Sequence, residues 1–190
     1  MKKVLISAII LSIIALMFLG YTNSKNKKPK LIAKNFLINY YTINNDEIDK
    51  YVKNIHKYIG KELKNGIKKE TFDKLHKHIK KYVSDDVYMY IIGDRLLLEQ
   101  WKNCYENQYT TSVDSIKLKR DNTFSDKNTV KYSFEIQLTM HHKKSNDNKT
   151  VTLNDIIFLT NINNEWKISK FRSAYPWGKN LIMIHSTVSL

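Results

Sequence analysis

The sequence predicts an α+β fold: N-terminal helices packed on a curved antiparallel sheet of about four strands. Three observations predict it. Between Asn128 and His142, Val130, Tyr132, Phe134, Ile136, Leu138 and Met140 alternate with Lys131, Ser133, Glu135, Gln137, Thr139 and His141, the period of a strand with one buried face. Before Tyr109 the apolar residues recur at helical spacing instead. Between the strand-like runs lie short polar stretches of turn-forming residues.

Taken in order, the first element is a helix whose stripe is Ile32, Ala33, Phe36, Leu37, Tyr40 and Tyr41. The cluster Asn44-Asn45-Asp46-Glu47 resembles a cap that opens a second helix carrying Ile48, Tyr51, Val52, Ile55, Tyr58 and Ile59, with Gly60 placed to end it. A third helix is expected to start near Thr71, with Phe72, Leu75, Ile79, Tyr82 and Val83 inward. Ser84, followed by Asp85 and Asp86, reads as another helix N-terminus, because a hydroxyl cap and acidic side chains there complement the unpaired N–H groups and the dipole. The segment after it, Val87 to Ile92 and then Leu96 to Leu98 and Trp101, is the most apolar part outside residues 1–20 and is expected to pack centrally.

Beyond Tyr109 the signal turns to strands. Val113 to Arg120 sets Ile116 and Leu118 against Lys117 and Lys119, and Asp121 to Lys127 is a turn into the long alternating strand. His142 to Lys149 is a polar hairpin loop and Thr150 to Ile162 the third strand. Asn163-Asn164 turns into the fourth, Trp166 to Phe171.

At 190 residues the chain has room for one compact domain with appendages. Met1, Lys2 and Lys3 precede Val4 to Gly20, an apolar run whose polar members are Ser7 and Ser12. As a helix this run approaches the roughly 30 Å of bilayer hydrocarbon. Phe18 stands three residues before any cleavage after Gly20, and Tyr21 stands where a lipoprotein would carry its lipidated cysteine, so residues 1–21 read as an uncleaved signal anchor rather than a cleaved peptide. Residues 22–30, lysine-rich with Pro29, read as a linker, 31–173 as the domain and 174–190 as a tail docked on it. Five lysines between Lys25 and Lys34 outnumber the two before the anchor, which by charge alone favours a cytoplasmic domain. The short lysine-bearing start leading straight into the apolar run favours export, and the expectation is a single-pass protein with an extracytoplasmic domain.

Formal charge is +14, and nearly all of the excess lies after residue 20. Such a surface attracts anions, so nucleic acid or an anionic wall polymer joins protein partners and the membrane contacted through residues 4–20 as expected partners. The lysines are scattered rather than striped, as a solvated surface would have them. The single cysteine, Cys104, forms no internal disulfide.

Three stretches carry a family resemblance. Ala33 to Tyr41 resembles the opening helix of cone-shaped domains of the nuclear-transport-factor-2-like superfamily. The long strand with its polar hairpin resembles the middle of that fold, and Asn164-Glu165-Trp166-Lys167-Ile168-Ser169-Lys170-Phe171 resembles its closing strand. One anchor followed by one such domain is similar to extracytoplasmic parts of conjugation and type IV secretion scaffolds, including the Gram-positive TcpC-like group, and to the non-catalytic N-terminal domain of some penicillin-binding proteins. The resemblance implies a bacterial cell-membrane location and a non-enzymatic assembly or binding role, as in a scaffold of a conjugation or secretion machine.

Enzymes of that superfamily carry acid-base groups inside the cone. Here the inward candidates are the hydroxyl of Tyr132 and, provided that its register follows Val151, Leu153 and Ile157, the carboxyl of Asp155. The alternative role for such a cavity is small-molecule binding or catalysis. One carboxylate without a placed partner names no catalytic residue. His76 and His78 lie two apart on a helix, and His141 and His142 are adjacent on a strand, so neither pair shares a face to chelate an ion. No phosphate loop or nucleophile elbow is present, and no cofactor or metal is expected. In the tail, Tyr175, Trp177, Ile182 and Ile184 are too apolar for a free end and are candidate partner contacts.

Overall fold

A computed structural model describes residues 28–54, 73–124, 126–145 and 148–172. The expected anchor, Tyr175, Trp177, Ile182, Ile184 and the second helix beyond Asn54 lie outside the described residues. No helix among the described residues is long and apolar enough to cross a membrane.

Helix α1 occupies residues 28–41, so the chain is already helical within the stretch expected to be linker. Pro29 is compatible with a position near a helix start, because its ring fixes a helical φ and it has no N–H to leave unpaired. Ala33, Phe36, Leu37, Tyr40 and Tyr41 are all fully buried, and Ile32 is half-buried beside them. Helix α2, Asn45–Asn54, begins in a reciprocal cap: the Glu47 N–H donates to Asn44 Oδ1 at 3.1 Å and the Asn44 N–H donates to Glu47 Oε2 at 2.8 Å. The expected third helix is broken. Residues 73–75 are helical, His76 lies in a turn, and α3 is the single turn Lys77–Lys80, although Leu75, Ile79 and Val83 are buried as the spacing requires.

Helix α4, Asp85–Gly93, starts at Ser84, whose hydroxyl accepts from the Val87 N–H. Arg95, at φ 55°, separates it from α5, Leu96–Glu106. A non-glycine residue in the left-handed region reverses the chain sharply. The apolar run is thereby split into two helices that bury Val87, Tyr88 and Ile91 on one and Leu96, Leu97, Leu98, Trp101 and Cys104 on the other.

Four strands follow as an antiparallel meander in the order β1-β2-β3-β4: Tyr109–Arg120, Thr129–His142, Lys149–Ile162 and Glu165–Phe171. The alternation of β2 is realised over its whole length, with Val130, Tyr132, Phe134, Ile136, Leu138 and Met140 between 0% and 6% exposed. Asn163 and Asn164, both at positive φ, close the tight β3–β4 turn. The aromatic ring of Phe171 locks α1 to the sheet, meeting Phe36 at 4.9 Å and Tyr40 at 4.8 Å, both edge-on.

Two bulges were not legible as strand alternation. On β1 the pairing skips Asp114, so that Val113 opposite Leu138 and Ile116 opposite Ile136 both face the helices although they are three residues apart. On β4 the pairing skips Ser169, and Ile168 and Phe171 likewise both face inward. One extra residue restores the face that a strict period of two would have reversed.

Each edge strand is also joined to the helical layer by backbone hydrogen bonds. Ile43 and Thr111 exchange backbone hydrogen bonds of 2.9 and 3.0 Å, and the Thr111 hydroxyl donates to the Tyr41 carbonyl at 2.6 Å. At the other edge the Ile168 N–H donates to the Tyr82 carbonyl and the Ser84 N–H to the Ile168 carbonyl. Both ties are nonlocal and have no local sequence signal.

Candidate interaction surface

The sheet offers two faces, and the helices cover one. On the covered face, Asp155 stands opposite Phe134, in the row between Leu153 opposite Ile136 and Ile157 opposite Tyr132. The inward register on which its candidacy depended is therefore the register of the strand. Its side chain is 16% exposed, Oδ2 lies 4.0 Å from Arg172 Nε, and Oδ1 accepts from the Ile156 N–H at 2.8 Å. Burial raises its carboxyl above the ordinary aspartate value, against the opposing effects of that N–H and of Arg172. Tyr132 is buried within the main apolar cluster, and burial raises its phenol as well. The two residues are diagonal neighbours on adjacent strands and no hydrogen bond joins them. Phe134, Ile157 and Phe171 belong to the same buried apolar cluster, so Asp155 is a carboxyl in an otherwise apolar row.

The four described histidines and Cys104 are held in structural settings. His76 is buried and stacks on Trp101 at 5.4 Å with rings nearly parallel. His78 is half-buried, and burial lowers its pKa first, with backbone hydrogen bonding opposing and nearby Lys50 reinforcing the shift. His141 Nε2 lies 2.9 Å from Ser112 Oγ, and His142 Nδ1 accepts the Lys144 and Ser145 N–H groups, shaping the hairpin. Burial pushes the Cys104 thiol up to about 12, which leaves it protonated and unreactive at neutral pH. No group of three or more His, Cys, Asp or Glu among the described residues is arranged to hold a metal ion.

The outer face is different. Ser115, Lys117 and Lys119 of β1 stand opposite Gln137, Glu135 and Ser133 of β2, which in turn stand opposite Thr152, Asn154 and Ile156 of β3. Of these, Lys117, Lys119, Ser133, Glu135, Asn154 and Ile156 border an open groove of about 490 Å³, which Leu118, Phe134 and Asp155 also line. Lys117 Nζ donates to Glu135 Oε1 at 2.6 Å, whereas Lys119 has no acidic partner among the described residues. Towards β4 the face becomes aromatic. Phe124 meets Phe158 edge-on at 5.6 Å, and the ammonium groups of Lys131 and Lys170 lie 5.9 and 5.8 Å from the centre of the Phe158 ring. Ile156 and Ile162 add exposed aliphatic surface.

Sequence reasoning did not single out this face. Its signal was the run Ile156-Ile157-Phe158-Leu159: four consecutive apolar residues on a strand must place two on each face, and an outer face with apolar groups has a use or a cover.

Fold and surface together define a class: a meander sheet with one face closed by helices and the other open, basic and partly aromatic. No family model matches the chain, and no curated protein matches it. Among solved structures it is similar to the crystal structure of the intermembrane space region of chloroplast protein ARC6, with 11% identity over 46% of this chain and 78% of that one and a TM-score of 0.23. A likeness of that size carries no inference about fold or function.

Proposed function

We propose that the chain is a non-enzymatic binding or assembly module, held at a bacterial membrane by residues 4–20, with its domain on the extracytoplasmic side. The observation that carries this reading is the contrast between the sheet's two faces. The helix-facing side carries the main buried apolar cluster of the described residues, whereas the outer face presents lysines, aromatic rings and a groove with which another macromolecule can make contact. The apolar run Val4 to Gly20 supports the tether. The resemblance to nuclear-transport-factor-2-like cones, and through it to conjugation or secretion scaffolds, belongs to the same proposal. Helices followed by a four-strand meander are consistent with it, and the bulges at Asp114 and Ser169 would curve such a sheet. The comparisons with known proteins add no support.

The test is a topology assay with reporters fused after Leu190 that are active on one side of the membrane only. Activity outside is the expected outcome; activity inside overturns the location and leaves the lysines after Tyr21 as the determinant of orientation.

One observation favours a second reading, in which the helix-facing side binds a small molecule: the inward, half-buried carboxyl of Asp155 with its raised pKa. A ligand seated there would stabilise the protein thermally, and Asp155→Asn would abolish that stabilisation without unfolding the domain. A ligand whose stabilisation survives the substitution binds elsewhere.

A further inference from the structure

Among the described residues, β1 between Ser115 and Lys119 is a sheet edge with no strand on its outer side. Ile43 pairs with β1 at Thr111, and beyond the Asp114 bulge no described residue pairs with the strand on that side. Backbone groups on an edge strand that point away from the sheet are a template for one more strand. The side chains of β1 also differ from those of its neighbour. Ile116 and Leu118 are only half-buried, whereas Ile136 and Phe134, which stand directly opposite them on β2, are 0% and 3% exposed. The inward row is thus incompletely covered on its β1 side. On the outward side the same stretch presents Lys117 and Lys119, the second without an acidic partner among the described residues.

From this juxtaposition we propose that residues 115–119 form a docking edge for an extended segment of a protein partner in which acidic and apolar residues alternate. A strand added here places every second side chain beside Lys117 and Lys119 and the others beside Ile116 and Leu118. Opposite charge on the first set and aliphatic groups on the second are the chemistry this edge complements. A second copy of the chain fits poorly. An antiparallel pairing of two β1 strands centred on Leu118 sets Lys117 of one against Lys119 of the other twice, and like charges directly opposite repel. The same lysines that discourage self-pairing, and with it edge-to-edge aggregation, select an acidic strand. The proposal deepens the binding-module reading and rests on it.

The experiment measures fluorescence anisotropy of a labelled ten-residue peptide of alternating Glu and Val on the full chain in detergent. The comparison peptides are alternating Lys and Val, and a block isomer with all Glu preceding all Val. Binding of the first and weak binding of the other two is expected. Reversing the edge charges with Lys117→Glu and Lys119→Glu, both at exposed positions, should weaken the acidic peptide by about tenfold or more and favour the basic one. Backbone pairing is read separately by N-methylating alternate residues of the peptide: methyl groups on one set abolish binding and on the other leave it intact, since only one set of N–H groups faces the edge.

Equal binding of the block isomer, indifference to both methylation patterns, or no binding of the alternating peptide overturns the docking edge. Those failures leave the binding-module reading standing if the topology assay places the domain outside the cytoplasm. An inside result with intact peptide binding overturns the location while keeping the edge.

Discussion

The two faces of β2 belong to one strand of fourteen residues and share a backbone, a register and a pair of neighbours, yet they do different work. Six inward side chains are buried against helices and against β1 and β3. The outward ones form an exposed ion pair between Glu135 and Lys117, and the Thr139 hydroxyl donates to the Asp114 carboxylate and accepts from the Thr150 hydroxyl. The difference teaches that folding free energy is concentrated on one parity of the strand. Burial of apolar area is favourable on every inward residue, whereas an exposed polar contact largely exchanges one hydrogen-bonded state for another.

The sharpest way to break the comparison is to truncate neighbours of opposite parity. Ile136→Ala removes a fully buried side chain from the middle of the sheet and is expected to destabilise the protein by about 2 to 5 kcal/mol through lost burial and the cavity left behind. Gln137→Ala, one residue away and exposed, should stay within about 0.5 kcal/mol. Both are read from urea unfolding midpoints at constant m-value. Similar losses for the two would mean that the faces are not energetically distinct and that the register of β2 is wrong.

Asp155 is the exception on the inward parity, and it sharpens the comparison through pH. Its pKa is raised in the fold, so the native state binds its proton more tightly than the unfolded chain. The group therefore carries no penalty below its unfolded pKa, and its contribution to stability declines as pH rises from there through the folded pKa. Asp155→Asn should raise the unfolding free energy at pH 7 modestly, by less than about 1 kcal/mol because Arg172 offsets part of the burial, and the advantage should vanish in acid. A variant less stable than the parent at pH 7 would show that the pairing with Arg172 outweighs burial.

Most of this architecture was legible because its signals are local. The stripe of α1 and the alternation of β2 are periodic. The caps at Asn44 and Ser84 and the paired asparagines at the β3–β4 turn are residue chemistry tied to backbone conformation. What was not legible depends on distant partners. The β1 bulge left Val113 and Ile116 three apart on one face, a spacing that reads as irregular until Leu138 and Ile136 are set opposite. The break at Arg95 has no glycine or proline at the left-handed residue itself; Gly93 lies two residues before it. The candidate surface was missed for a related reason. Lys117 and Lys119 look like ordinary solvated lysines in the sequence, and only the strand order shows that, among the described residues, they lie on an outer strand of the sheet.

The smallest expected effect tests that meaning from the folding side. Lys117→Ala removes an ammonium that is 74% exposed and paired at 2.6 Å with a carboxylate that is 38% exposed. Water and salt screen such a pair, so the loss in stability should be about 0.2 to 1 kcal/mol at low ionic strength and should disappear in roughly 1 M salt, where charges a few ångströms apart are already screened. A loss that persists in high salt would mean that the aliphatic stem of Lys117 packs on the sheet and that folding itself requires it. A loss that salt removes leaves the outward lysines of β1 contributing little to folding. They can then be removed without damage to the inward layer; reversal at Lys117 also sets a carboxylate opposite Glu135, so Lys119→Glu, opposite Ser133, is the substitution whose effect on peptide binding reports the β1 edge alone.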